Sequence, residues 1–274
     1  MAEKFKKQRL DELLTEHNFF ETKSKAQAAI MAGDVKIDDK VITKAGFQII
    51  FSSKLKIEIK TMPYVSRGGF KLEKALKEFG VNLNGRICLD AGASTGGFTD
   101  CMLQNGAKKV YAVDVGYNQL AWKLTMDNRV KNIEKTNIKN ADFSAIYEEQ
   151  DSFADFCAMD VSFISITKVL NNLKNLLSEN FEIITLIKPQ FEAGKEDVGN
   201  GVIKDEKIHI KILKTLVDFF SDNGFALLGL TYSPIKGPKG NIEYLAHLKY
   251  SGDVIKPDIS LLVKSAFEEL GKTN

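Results

Sequence analysis

The chain has little of several residue types on which particular protein classes depend. Its 274 residues include three cysteines, three histidines, five prolines and one tryptophan. Cys88, Cys101 and Cys157 lie far apart and form no Cys-x-x-Cys pair, and the histidines show no metal-ligand spacing. This composition favours neither a disulfide framework nor a zinc site. We therefore expect reduced thiols in a cytoplasmic protein and no bound metal.

Long apolar runs are also missing. No segment approaches the roughly 18 apolar residues that a membrane-spanning helix needs. The N-terminal residues 1–7 are rich in lysine but lack the apolar stretch of a secretory signal peptide. The sequence therefore favours a protein without a membrane partner.

An excess of one charge is missing as well. The net charge is only +2, so no overall basic field indicates a nucleic-acid partner. The charge is uneven, however, because residues 1–60 carry 12 basic and 9 acidic side chains, whereas the remainder carries 26 and 27. The first segment is thus the part of the chain that is weakly favoured to face phosphates.

Residues 1–60 have the pattern of a small α+β domain. Apolar residues between Leu10 and Phe19 predict a short amphipathic helix. A second helix, capped by Thr22 or Ser24, is expected to end near Gly33. Alternating apolar and polar residues from position 35 onward predict short strands.

We interpret residues 61–64 as a linker, beyond which strand and helix patterns alternate through a second domain, residues 65–274. The strand patterns fall near residues 86–90, 109–114, 131–136, 154–159, 182–187, 225–231 and 243–249. The helix patterns fall near residues 69–79, 96–105, 118–125, 163–178, 203–222 and 258–270. Such alternation predicts an α/β fold with a mainly parallel seven-stranded sheet covered on both faces.

The most informative stretch is the loop at residues 89–100, Leu-Asp-Ala-Gly-Ala-Ser-Thr-Gly-Gly-Phe-Thr-Asp. It follows an apolar strand and precedes a helix, and its glycines let the backbone approach a ligand closely. The next strand pattern ends at Asp114, whose carboxylate is placed to bind ribose hydroxyls. Because the spacing is not Gly-x-Gly-x-x-Gly, the loop indicates an adenosine-containing cofactor without favouring a dinucleotide.

Charged residues stand at the ends of several other predicted strands. Asp160 follows the fourth strand and Lys188 the fifth, Glu243 lies on the strand expected beside the fifth, and Lys71 opens the helix before the first strand. Ligands of open α/β sheets bind at the carboxyl ends of the strands, so two lysines and two carboxylates are expected to converge beside the cofactor. Lysines that are desolvated or packed together become better general bases.

Two sets of motifs give the chain a family resemblance. The segments 9–14 and 24–37 resemble the S4 RNA-binding domain, with Lys25 where such domains usually have arginine. The second domain resembles the TlyA family, ribosomal RNA 2′-O-methyltransferases of the FtsJ/RrmJ type that are also called haemolysin A-like. The matching segments are 64–72, 89–100, 160–165, 187–192, 201–205 and 233–243. They occur in the family's order and cover nearly the whole chain.

The resemblance implies a class I, Rossmann-like methyltransferase domain that uses S-adenosylmethionine, with ribosomal RNA or ribosomal subunits as partner. It also implies a Lys-Asp-Lys-Glu tetrad, which maps onto Lys71, Asp160, Lys188 and Glu243. By this analogy Lys188 removes or shares the proton of a ribose 2′-hydroxyl, of cytidine in this family. Asp160 orients Lys188, while Lys71 and Glu243 shape the local charge. A monomer is the default expectation.

The remaining site residues follow from the same resemblance. The expected cofactor-binding residues are Asp90, Gly92, Ser94, Thr95, Gly96, Gly97, Phe98, Asp114, Asn137 and Asp142. The expected RNA-binding residues are Lys7, Arg9, Lys23, Lys25, Lys36 and Arg67.

Other activities fit less well. Enzymes that methylate base amino groups commonly carry Asn/Asp-Pro-Pro-aromatic after the fourth strand, where residues 160–163 read Asp-Val-Ser-Phe. Cytosine C5 chemistry needs a cysteine nucleophile, but Cys101 and Cys157 fall within a predicted helix and strand. Two further hypotheses stay open: a non-catalytic RNA-binding factor, and a haemolytic or pore-forming protein as the family's older name implies.

Overall fold

The computed structural model describes residues 7–20, 22–51, 55–60, 62–199, 201–252 and 254–271. The chain divides into two units, Met1–Pro63 and Tyr64–Asn274. Thr61, at the start of the predicted linker, lies outside the described residues. Tyr64, at its end, belongs to the second unit, where its ring is buried and meets Phe70 edge to face at 5.6 Å.

The first unit has two helices and two small sheets. Its helices are α1 (Leu10–Glu16) and α2 (Lys23–Met31); its strands are β1 (Lys7–Arg9), β2 (Val35–Ile37), β3 (Lys40–Val41), β4 (Gln48–Ile50) and β5 (Ile57–Ile59). β1 pairs with β4, and β2 lies between β3 and β5. The Thr22 side chain caps α2, as predicted. The first helix is shorter than predicted, because Asn18 takes a left-handed φ of 59° and leaves Phe19 exposed.

The second unit is built on one seven-stranded sheet. The strands are β6 (Ile87–Ala91), β7 (Lys109–Val113), β8 (Val130–Ile133), β9 (Ala154–Met159), β10 (Leu177–Ile187), β11 (Ala226–Tyr232) and β12 (Tyr244–Lys249). Their order is β11-β12-β10-β9-β6-β7-β8. Only β12 runs against its neighbours; the pairs from β10 to β8 are parallel. The predicted mainly parallel sheet is therefore confirmed.

Helices cover both faces of this sheet. They are α3 (Gly68–Phe79), α4 (Gly97–Gln104), α5 (Trp122–Thr125), α6 (Phe143–Ile146), α7 (Thr167–Leu173), α8 (Pro189–Glu192), α9 (Lys195–Val198), α10 (Glu206–Asp222) and α11 (Ile259–Gly271). Leu72 and Met102 pack on one face of the sheet, and Leu170, Leu213 and Val263 pack on the other. In the described part of the chain, no helix combines the length and apolar character needed to cross a bilayer.

The helix predicted near residues 163–178 differs from the observed structure. Phe163 has a left-handed φ of 64°, which interrupts helical hydrogen bonding, so residues 160–166 form a loop and α7 begins only at Thr167. β10 in turn begins at Leu177, with a register shift before Glu182. The extra loop residues lie directly after β9, at the carboxyl edge of the sheet.

The carboxyl ends of β6 and β9 lie side by side, at the point where the strand order reverses. Gly92, just after β6, has a φ of 91°, and a Cβ there would lie 2.6 Å from the carbonyl oxygen of Asp160. The two chain segments therefore approach each other more closely than any side chain allows. This is the crevice in which open α/β sheets bind ligands.

Substituting Gly92→Ala should destabilise the second unit far more than Gly80→Ala, which serves as the control. Gly80 also has a left-handed φ, 67°, but a Cβ there would meet no atom within 4 Å. The control should therefore cost only the conformational strain of about 1–2 kcal/mol, and Gly92→Ala roughly twice that or more because the Asp160 backbone must move. Urea unfolding followed by circular dichroism measures both; equal losses would contradict the close approach.

Candidate active site

Four charged side chains form a row at the carboxyl edge of the sheet. The Lys71 Nζ lies 2.6 Å from Glu243 Oε2 and 3.8 Å from Asp160 Oδ2. The Lys188 Nζ lies 2.5 Å from Asp160 Oδ1. Lysine and carboxylate thus alternate from Glu243 to Lys188, and the structure brings together the four residues predicted from sequence.

Each member of the row reaches this edge from a different element. Asp160 follows β9 and Lys188 follows β10, which are parallel neighbours. Glu243 directly precedes β12, and this strand runs antiparallel to β10, so its start meets the end of β10. Lys71 lies in the first turn of α3. The reversed direction of β12 is what places Glu243 at the same edge as the others.

Burial gives this row its electrostatic character. Glu243 is fully buried, which raises the pKa of its carboxyl, while the Lys71 ammonium opposes that rise. Lys71 and Lys188 are 6% and 7% exposed, and Lys188 also donates a hydrogen bond of 2.7 Å to the Ser162 hydroxyl. Burying a charge is costly unless it is paired, and here each charge has an opposite neighbour.

Two adjoining cavities open beside the row. The first, of about 310 Å³, is lined by Lys71, Asp160 and Lys188 among others. The second, of about 560 Å³, contains Asp114 and Asn137 in its lining. The residues that both cavities share are Gly92, Ser94, Asp160 and Ser162. One long ligand can therefore place one end near Asp114 and the other beside the charged row, and both volumes are those of small-molecule sites.

The Gly-rich loop is fixed by the carboxylate of Asp114. Asp114 Oδ2 accepts a hydrogen bond of 2.8 Å from the Ser94 amide, and Oδ1 accepts one of 2.7 Å from the Gly116 amide. Ser94 has a left-handed φ of 49°. Asp114 thus holds the loop and faces the second cavity with the same side chain.

The other predicted residues of the Gly-rich loop do not all face a cavity. Thr95, Gly97 and Phe98 line the first cavity. Gly96 lines neither cavity, because it packs against α5: a Cβ there would lie 2.3 Å from Leu124 Cδ1. Its lack of a side chain serves helix packing.

Two further predicted cofactor ligands, both carboxylates, also line neither cavity. Asp90 is fully buried at the end of β6, where Oδ2 accepts a hydrogen bond of 2.6 Å from the Thr99 hydroxyl. Asp142 caps α6 by accepting from the Ala145 amide at 3.0 Å. In the structure both carboxylates accept hydrogen bonds from within their own unit.

The predicted RNA-binding residues lie at the surface, although Arg9 is only partly exposed. Arg9 is paired with the buried Asp11 at 2.7 Å. Lys23 pairs with Glu12 at 2.7 Å, and Lys36 lies 3.9 Å from Glu58. Lys7, Lys25 and Arg67 are exposed, and Arg67 lines the first cavity.

Sequence reasoning missed one prominent residue, Phe163. Its side chain is 89% exposed and lines the second cavity, with its ring 5.1 Å from that of Phe191. A phenylalanine held in a left-handed conformation and turned to solvent is unusual and points to a role in binding. No sequence signal reveals this, because neither the backbone conformation nor the contact with Phe191, 28 residues further along the chain, follows from a local pattern.

The alternative chemistries find no support at this site. The three cysteines are buried, and none lines either cavity. Among the residues that the structure describes, no group of three or more His, Cys, Asp and Glu side chains is arranged to hold a metal ion.

The strand order, the antiparallel β12 and the cleft beside the Gly-rich loop define a class I methyltransferase fold. The chain belongs to the FtsJ-like methyltransferase family, whose model matches residues 64–250. An S4 domain model matches residues 8–49. Both parts of the predicted resemblance are thereby confirmed.

Named relatives extend this result. The chain is 48% identical to Bacillus subtilis YqxC, a candidate rRNA methyltransferase by name, over 90% of this chain and 88% of that protein. It is 38% identical to the 16S/23S rRNA (cytidine-2′-O)-methyltransferase TlyA of Mycobacterium tuberculosis, over 89% and 91%. A solved structure of a candidate hemolysin from Streptococcus thermophilus is 43% identical, covers 98% of each chain and superposes with a TM-score of 0.75.

Substituting Asp90→Asn should remove a pH-dependent loss of stability. Burial raises the pKa of Asp90 from its ordinary 3.8 to about 7. The folded state therefore favours the protonated form of Asp90. The unchanged protein has its full free energy of unfolding below about pH 4, and it loses up to about 4 kcal/mol of it as the pH rises through 7 and Asp90 ionises. The stability advantage of Asp90→Asn over the unchanged protein should grow from pH 4 to 7 and then level off.

The matched control is Asp151→Asn. The Lys109 ammonium lowers the pKa of Asp151 to about 2, so this carboxyl stays ionised between pH 5 and 8. The difference between this variant and the unchanged protein should be constant over that range. Unfolding by urea at several pH values, without added ligand, measures both; a constant difference for Asp90→Asn would contradict the buried, protonated carboxyl.

Proposed function

We propose that the protein methylates the 2′-hydroxyl of a ribose, that of a cytidine, in ribosomal RNA, with S-adenosylmethionine as methyl donor. The observation that carries the proposal is the alternating row of Glu243, Lys71, Asp160 and Lys188, of which the last three line the first cavity. The names of the M. tuberculosis and Campylobacter jejuni relatives, both rRNA (cytidine-2′-O)-methyltransferases, support the substrate.

The cleft fits the proposed donor. Gly92 and Ser94 border both cavities, and Asp114 and Asn137 line the second, where they would bind the adenosine part. A Cβ at Gly92 would collide with the Asp160 carbonyl oxygen, so this wall of the cleft requires a glycine. S-adenosylmethionine supplies a sulfonium methyl group that is already activated for transfer, so positioning is the main task left to the protein.

The charged row serves the acceptor hydroxyl. As the ribose oxygen attacks the sulfonium methyl, the unprotonated amine of Lys188 takes up the 2′-hydroxyl proton, and the ammonium that forms is paired with Asp160 and hydrogen-bonded to Ser162. A cation beside the developing oxyanion acts as an oxyanion-hole donor does and contributes about 3 kcal/mol. Lys71 pairs with both Asp160 and the buried Glu243, so it helps to hold Asp160 in place and opposes the charge of both carboxyl groups.

Each unit offers basic side chains for RNA. The S4 domain contributes lysines such as Lys7 and Lys25 to phosphates, and Arg67 does so at the mouth of the first cavity. Exposed Phe163 offers a face on which the target base stacks, as aromatic side chains do for unpaired bases. Ribosomal subunits in the cytoplasm are the proposed setting.

Lys188→Ala should abolish methyl transfer while leaving donor binding intact, because the lysine serves the acceptor. We expect a loss of about 10²–10⁴-fold in kcat, the range for a lost proton-transfer group. Transfer of labelled methyl groups to purified ribosomal subunits, with mapping of 2′-O-methyl positions, measures this; calorimetry measures donor binding. The control Lys211→Ala changes an exposed lysine of α10 and should be fully active.

Two results would contradict this proposal. Methyl incorporation by Lys188→Ala equal to that of the control would exclude the lysine from the reaction. No incorporation and no donor binding by the unchanged protein would favour a non-catalytic RNA-binding factor.

Phe163→Leu should weaken RNA binding although it keeps an apolar side chain, because stacking on a base requires an aromatic face. Loss of one stacked base costs about 1–3 kcal/mol, so KM for RNA should rise about 5- to 100-fold with little change in donor affinity. The control Phe163→Trp keeps the face and should bind as the unchanged protein does. Equal KM values for the leucine and tryptophan variants would rule out stacking.

A further inference from the structure

The carboxylate of Glu192 joins the two loops that carry Asp160 and Lys188. Glu192 ends α8, the turn that follows β10. Its Oε2 accepts a hydrogen bond of 2.6 Å from the Ser165 hydroxyl, and its Oε1 accepts one of 2.9 Å from the Ile166 amide. Ser165 and Ile166 close the loop that begins at Asp160.

Other residues of the turn after β10 also contact the loop that begins at Asp160. Lys188, at the start of the turn after β10, holds Asp160 and Ser162 at the start of the opposite loop. Phe191 packs against Phe163 in the middle of that loop. Glu192 holds its end. The loop is therefore held at its beginning, middle and end by three residues of a single turn, Lys188, Phe191 and Glu192.

The electrostatics of Glu192 differ from those of the charged row. Glu192 is partly buried, and among the described residues it forms no ion pair with a lysine, arginine or histidine. Burial raises the pKa of its carboxyl, against the two hydrogen bonds that it accepts. Desolvating a carboxylate without pairing it with a cation costs free energy. Its two oxygens do, however, satisfy a hydroxyl and an amide at once, which fixes both position and direction.

The loop that it closes needs such support. Phe163 is held with a φ of 64°, a conformation that a phenylalanine rarely adopts without surrounding contacts. The same loop carries Asp160, which pairs with both lysines of the row, and Ser162, which accepts from Lys188. A shift at its Ser165 end would therefore move residues at the reaction centre.

We propose that Glu192 is a positioning residue for methyl transfer, acting through the loop of residues 160–166. This inference rests on the proposed function. Glu192 lines neither of the two cavities of the cleft, so it has no contact with the donor or the ribose. Its effect is on the orientation of Asp160 and Phe163 relative to the ribose.

Glu192→Ala removes both hydrogen bonds and should lower kcat by about 10- to 100-fold, the effect of displacing reacting groups by about 1 Å. Donor affinity, measured by calorimetry, should stay within twofold, because Gly92, Ser94 and Asp114 are untouched. Glu192→Gln keeps an acceptor for the Ile166 amide, and its NH₂ can donate to the Ser165 hydroxyl, so it should recover most of the activity. Ser165→Ala, which removes one of the two bonds, should fall between them.

The control for lost stability is Glu182→Ala. Glu182 pairs with Arg86 at 3.0 Å and with His247 at 2.9 Å. It lies six residues before Lys188 on β10, roughly 20 Å from it at about 3.3 Å per residue. This variant should lower the free energy of unfolding but leave kcat unchanged. A kcat loss that follows stability equally in Glu182→Ala and Glu192→Ala would overturn the proposal.

Hydrogen–deuterium exchange tests the inference without any substrate. The peptide that covers residues 160–170 should exchange faster in Glu192→Ala than in the unchanged protein, and at the unchanged rate in Glu182→Ala. Unchanged exchange together with unchanged kcat would overturn the positioning role. If the unchanged protein transfers no methyl group to ribosomal RNA but Glu192→Ala still speeds exchange in residues 160–170, the proposed function fails. The role of Glu192 in holding the loop would then still stand.

Discussion

The site depends on the buried alternation of charge from Glu243 through Lys71 and Asp160 to Lys188. In a desolvated setting none of these groups is tolerable alone, since removing one partner leaves its neighbour unpaired. The fold must therefore deliver all four to one place. It does so with an antiparallel final strand, a helix start and two parallel strand ends, and the cleft forms around the result.

Close backbone approach is the second constraint. Gly92 lies so close to the Asp160 carbonyl oxygen that a Cβ would not fit between them. The Gly-rich loop and the Asp160 loop therefore form one wall of the cleft together. Ser94 is held from the far side by Asp114, which also faces the second cavity. The residues that shape the proposed donor site thus also set its distance to the charged row.

Much of this could be predicted from sequence. The seven strands follow from apolar patterns, and the convergence of Asp160, Lys188 and Glu243 follows from their places at strand ends. The surroundings of three site residues could not be predicted, because they depend on contacts made in the folded structure. Asp142 has a plausible position for a cofactor ligand, yet it caps α6; Gly96 has the composition of a binding loop, yet it packs on Leu124. Phe163 could not be predicted because neither its left-handed backbone nor its contact with Phe191 has a local sequence signal.

The antiparallel β12 has a consequence for synthesis of the chain. Lys71 and Glu243 are partners across 172 residues, and the contact forms only when β12 has inserted between β10 and β11. Pairing over such a separation is a late event in folding, since the intervening chain must first be ordered. A growing polypeptide thus completes its S4 domain early but has no complete charged row until residue 249 is available. The charged row is therefore complete only after the strands on both sides of β12 have been synthesised.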